Sequence, residues 1–220
     1  MIRIRYKIIL LIPFVVFIIT SCVRIYDKQK LSIANNSFKQ ENITFRTDGY
    51  YYKIIEYQEG ENLSIEMQYG ESNFCAISPL IFYNDGFVRK SEFIHEIRKF
   101  KTEQDMNDSI NISLLSLDEE IETNNFHVQM NNTIWDWGMY EQNDMKITIQ
   151  YYRNHHGNYR LIEQIGEVKN NTTIILKNKQ TIIRNDDLNN EPEEIYYFRK
   201  LKIKPDSTNY IKSNIEKFRK

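Results

Sequence analysis

Apolar and polar residues alternate along much of the chain beyond its first fifty positions. Ile147, Ile149 and Tyr151 fall on one side of an extended segment, and Lys146, Thr148 and Gln150 on the other. That two-residue period is the mark of a strand with unlike faces. Tyr50 to Tyr57, Leu80 to Tyr83, Thr133 to Tyr140, Met145 to Tyr152, Tyr159 to Ile165, Thr172 to Leu176 and Glu194 to Ile203 are rich in Ile, Tyr, Trp and Thr. These side chains suit a pleated sheet surface. Turn signals separate them at Asp48-Gly49, Asn84-Asp85-Gly86, Gln142-Asn143-Asp144, His156-Gly157-Asn158 and Ile165-Gly166. The pattern predicts a mainly β domain, a single antiparallel barrel or sandwich running as a meander.

One stretch departs from this period. Between 91 and 125, Ile110, Leu114, Leu117 and Ile121 recur at spacings of 4, 3 and 4, the stripe of an amphipathic helix. Asn107 or Asp108 would cap it. Phe93, Ile97 and Phe100 suggest a shorter helix before it, although Phe93, His95 and Ile97 also fit a strand. A helical insertion is therefore expected at 91–125, lying against the sheet or over an open end.

The start of the chain reads differently. Arg3, Arg5 and Lys7 precede an apolar run from Ile8 to Ile19 broken only by Pro13, the build of a secretory signal. As a helix it would span about 18 Å, short of the ~30 Å hydrocarbon core of a bilayer. Ile19-Thr20-Ser21-Cys22 follows as a lipobox, which predicts cleavage of the signal peptide 1–21 and lipidation of Cys22. Residues 22–40 are polar and aperiodic and read as a flexible tether. The β domain would occupy 41–205, and 206–220 a C-terminal tail in which Tyr210, Ile211, Ile215 and Phe218 outline a short helix.

Charge and cysteine content narrow the field. The formal net charge is −1, and the leader holds three cations and no acid, so the mature chain lies near −4. A nucleic-acid partner needs a concentrated cationic face and is not expected. With Cys22 linked to lipid, Cys75 is the remaining thiol, and its setting in Asn73-Phe74-Cys75-Ala76-Ile77 predicts a buried structural one.

Several segments carry a resemblance. Phe45-Arg46-Thr47-Asp48-Gly49-Tyr50-Tyr51, Ile81-Phe82-Tyr83-Asn84-Asp85-Gly86, Trp137-Gly138-Met139-Tyr140 with Ile147-Thr148-Ile149-Gln150, and Gly166-Glu167-Val168 with Thr172-Thr173-Ile174 resemble segments of small outer-membrane lipoproteins of Bacteroidetes-type bacteria. The resemblance implies an outer-membrane lipoprotein and no particular activity. In layout the chain is also similar to lipocalin-like barrels. Those place a Gly-x-Trp element near the domain start, whereas Trp135 and Trp137 lie past the middle, so a ligand cavity is not implied. Val23 after Cys22 is not the Asp that retains lipoproteins at the inner membrane.

Candidate chemistry is sparse. The chain has no Gly-x-Ser-x-Gly elbow, no Ser-x-x-Lys and, with seven glycines, little room for a phosphate loop. His155 and His156 would point to opposite faces of a strand and so cannot share an ion without a bend. No catalytic residue, metal or cofactor is expected. Trp135, Trp137 and Tyr140 are candidates for an aromatic surface that stacks on a glycan or grips a protein, with core filling as the plainer reading. Asp108-Ser109-Ile110 and Asp206-Ser207-Thr208 resemble the three-residue O-glycosylation motif of these bacteria, which makes Ser109 and Ser207 candidate sites, the latter in a turn exposed by Pro205. The expectation is a lipid-anchored envelope protein whose domain is a non-enzymatic binding or structural module. A lipocalin-like carrier of a small apolar ligand and a glycan-binding accessory protein are the alternatives.

Overall fold

A computed structural model describes residues 31–35, 43–60, 67–68, 70, 72–91, 95–123, 133–155, 158–181 and 192–219. The leader, Cys22, most of the tether and His156 lie outside the described residues.

Nine strands are present among them: β1 (Gly49–Tyr57), β2 (Asn73–Phe82), β3 (Phe87–Lys90), β4 (His95–Phe100), β5 (Trp137–Asn143), β6 (Lys146–His155), β7 (Asn158–Asn170), β8 (Thr173–Thr181) and β9 (Glu194–Lys200). Their order is β1-β9-β8-β7-β6-β5-β3-β2, and β2 pairs back onto β1, so eight strands close on themselves. Every pairing is antiparallel. The fold is the barrel rather than the sandwich. Closure leaves few free edges, and the extra strand β4 continues the line of β3 along β2.

The barrel has two cores. Inside it, Phe45, Tyr51, Phe82, Tyr140, Ile149, Tyr151, Ile162, Leu176 and Tyr196 pack together. Outside it, Tyr50, Cys75, Ile77, Ile81, Trp137, Met139 and Tyr152 pack beneath a covering layer. Strand alternation sends neighbours to opposite cores: Trp137 and Met139 face outward, Tyr140 inward.

The covering layer is the expected helix together with both flanks of the domain. Helix α1 (Glu103–Glu122) buries Ile110, Leu114, Leu117 and Ile121, the stripe read from the sequence. Its cap is Thr102, not Asn107 or Asp108. The Thr102 Oγ1 accepts from the Asp105 amide at 3.2 Å, and the Asp105 carboxylate accepts from the Thr102 amide at 3.2 Å, a capping box. The shorter helix around Phe93 to Phe100 is not formed, since His95–Phe100 is strand β4. Within the stretch assigned to the tether, Ser32–Asn35 form a 3-10 turn, and Leu31, Ile33 and Ala34 are buried against the barrel. The tail also packs, through α2 (Tyr210–Ser213), Ile211 and Phe218.

Two further expectations are corrected. Gly166 does not make a turn but lies inside β7, where a Cβ would stand 2.3 Å from the Ile175 carbonyl oxygen of the neighbouring β8. The segment at Thr133 begins as a turn, with Asp136 at φ 65°, and becomes strand at Trp137.

Candidate functional site

The two ends of the barrel interior differ in chemistry. At one end, Phe82 meets Phe45 and Tyr140 edge to face at centroid distances of 4.8 and 4.9 Å, and Phe45 and Tyr140 lie tilted to each other at 5.7 Å. The Tyr140 hydroxyl donates to the Tyr83 carbonyl at 2.8 Å, and the Tyr51 hydroxyl to the Asn171 carbonyl at 3.0 Å. Burial pushes the phenols of Tyr51 and Tyr140 far above their ordinary values. This end is filled by rings.

At the other end the inward positions are polar. Lys53 follows Tyr51 on β1, Lys90 follows Val88 on β3, Gln164 follows Ile162 on β7, and Glu194 precedes Tyr196 on β9, each two residues from an interior apolar side chain. They converge. Lys90 Nζ donates to the Glu194 carboxylate at 2.8 Å and to Gln164 Oε1 at 2.7 Å. Gln164 Nε2 donates to the same carboxylate at 3.0 Å, and Lys53 Nζ makes a close ion pair with its other oxygen. Lys90 also lies 5.1 Å from the Tyr151 ring centroid. The side chains are 3% exposed for Lys90, 12% for Glu194 and 22% for Lys53. Burial would raise the Glu194 carboxyl, but the two ammonium groups outweigh it and hold it far below the usual carboxylate range.

Just outside this cluster the barrel wall parts. The β1–β9 ladder runs from Gly49↔Lys200 to Tyr52↔Tyr197 and stops. Beyond that point β1 stays on β2 as far as Tyr57↔Phe74, and β9 stays on β8 as far as Leu176↔Glu194. Between the two lies a groove of about 580 Å³ lined by Lys53, Ile54, Glu56, Glu193, Ile195 and Tyr197. The register explains why the ladder ends. Continued by four residues it would place Glu56 opposite Glu193, and like charges directly across a pair repel. Pro192 comes next and has no amide to donate. Lys177 Nζ holds Glu193 at 2.9 Å, toward β8. Ile54, Ile195 and Tyr197 are left 36%, 42% and 45% exposed.

The candidate residues read from the sequence lie elsewhere. Trp137 and Tyr140 are fully buried in the outer and inner cores and Trp135 is half-buried, so the expected aromatic surface offers no pair of open rings. Ser109 is half-buried on α1. Ser207 is not exposed: its hydroxyl bonds the Asp85 carboxylate and accepts from Lys212 Nζ at 2.7 Å. Cys75 is buried as expected, and burial pushes its thiol up. The side chain of His155 and all of His156 lie outside the description.

Sequence reasoning missed the Lys53–Lys90–Glu194–Gln164 cluster and the groove above it. The signal available was Arg89-Lys90 in a four-residue strand between two aromatic hairpins, since charges on such a strand need partners. Arg89 has its own: burial lowers its guanidinium and the nearby Asp136 opposes that. No family model, curated protein or solved structure matches this chain. Among the described residues no helix is long and apolar enough to cross a membrane.

Proposed function

We propose that this chain is an outer-membrane lipoprotein, cut before Cys22 and anchored by acyl chains on it, that carries its barrel as a non-enzymatic binding module. The lipobox Ile19-Thr20-Ser21-Cys22 supports the anchor. The parted β1–β9 wall supports binding, because it leaves an open groove with exposed apolar lips beside the closed ladder. Packed rings at the interior's other end argue against a carrier that shelters its ligand among them.

The test of the anchor is the intact mass of membrane-extracted protein, beside Cys22→Ala. A chain beginning at Cys22 with a diacyl or triacyl increment, absent from the variant, is the expected result. An unacylated chain in the soluble fraction would refute the anchor and leave a secreted barrel.

A further inference from the structure

We infer that the groove between β1 and β9 receives an extended polypeptide segment from another protein, inserted as a strand, with an apolar and a basic residue two positions apart. This rests on the reading of the barrel as a binding module and names what the module binds.

Backbone geometry identifies the occupant. In an antiparallel ladder the bonded pairs recur at every second residue. Leu201 donates to the Asp48 carbonyl, so the bonded pairs are Asp48 with Leu201, Tyr50 with Arg199 and Tyr52 with Tyr197. The next in the series is Ile54 with Ile195, and the ladder has already stopped there. The amide and carbonyl of each therefore face the groove, donor and acceptor on both walls. Phe198 donates to the Thr172 carbonyl, which confirms that Ile195, three residues earlier, turns its amide away from β8. A strand edge with apolar side chains beside it is satisfied best by another strand.

Side chains then specify the sequence. On the outer face the two walls show Ile54 with Ile195, then Glu56 with Glu193. A Lys or Arg placed beside them would neutralise Glu56 and share Glu193 with Lys177, which holds it at 2.9 Å. An apolar residue two positions away would lie between the isoleucines. On the inner face the intervening place lies between Ile55 and Glu194, whose carboxylate Lys53 already holds, which favours a small residue there.

The test uses the purified acylated protein in detergent and random nonapeptides displayed on phage. Enrichment of sequences with an apolar and a basic residue two positions apart is expected, with selection turning to acidic residues in the Glu56→Lys/Glu193→Lys protein. In calorimetry, the enriched peptide should weaken about tenfold for each N-methyl group on a bonding position, since each loses a backbone hydrogen bond. Ile195→Pro, which removes one groove donor and no ladder donor, should weaken binding by a similar factor; its melting curve checks the fold. Binding indifferent to both changes would overturn strand insertion and leave the module reading intact. Failure to enrich any peptide would also overturn it. Hydrogen exchange at Ile54 and Ile195 with added envelope extract separates the two readings in that case. Protection there would spare the module reading, and unchanged exchange would refute it too.

Discussion

Glu194→Gln is the perturbation that the inner cluster makes most informative. The carboxylate takes bonds from Lys90 at 2.8 Å and Gln164 at 3.0 Å and forms the close pair with Lys53. In the variant Lys90, 3% exposed, loses the carboxylate it pairs with at 2.8 Å and meets a neutral amide in its place. Removing one partner of a buried ion pair costs about 3–5 kcal/mol, because the other charge stays buried. Lys53→Met removes the more exposed cation and should cost about 1 kcal/mol once solvent screening is allowed for. In a chain of this length about 1 kcal/mol moves Tm by about 2–4 °C. Glu194→Gln should therefore melt about 6–20 °C lower, and Lys53→Met about 2–4 °C lower, in calorimetry at pH 7. The pH dependence gives a second readout. The Glu194 carboxyl is depressed in the folded state, so its stabilisation is complete above about pH 4.3 and is lost as pH falls toward the folded value. Urea titrations from about pH 5 to pH 2 should show this loss in the native protein and not in Glu194→Gln. A Glu194→Gln protein within about 1 kcal/mol of the parent, with the same acid slope, would refute the reasoning.

Three further outcomes follow from packing and burial. Gly138→Ala would set a Cβ 2.0 Å from the Gln150 carbonyl oxygen and 2.6 Å from the Tyr151 Cα, so it should cost more than about 3 kcal/mol or abolish folding, as read by urea denaturation. Burial pushes Lys204 down to about 8, so a 13C-labelled Lys204 should titrate near pH 8 in the folded protein and near 10.4 when unfolded. Between those values the unfolded chain holds the extra proton, so this group makes stability rise with pH. The Cys75 thiol should react with a disulfide reagent only at the rate of unfolding, and fast labelling under native conditions would contradict its burial.

Much of the fold was legible because its signals are local. The two-residue period of Ile147, Ile149 and Tyr151 and the helical stripe from Ile110 to Ile121 each report a face, and both faces are where the period places them. What was hidden depends on closure. Lys90 and Glu194 are 104 residues apart, and Glu56 confronts Glu193 only after β9 has paired with β1. No window along the chain contains either pair. The aromatic residues misled for a related reason: a one-sided sheet would expose half of them, but α1 and the tail cover the barrel's outer face, so Trp137 and Tyr140 are both buried. Ser207 was read as exposed because Pro205 marks a turn, yet that turn folds onto Asp85 of the β2–β3 hairpin.

The parted wall is the feature on which the binding account depends, and amide hydrogen exchange tests it most directly. Ladder amides exchange through opening of the structure, whereas amides facing a groove exchange near the rate of open chain. Tyr52 and Tyr197 should be protected, and Ile54 and Ile195, two residues beyond each, should exchange within the first time points. Strong protection at Ile54 and Ile195 in the free protein would mean that β1 and β9 zip to their ends, and it would contradict the account.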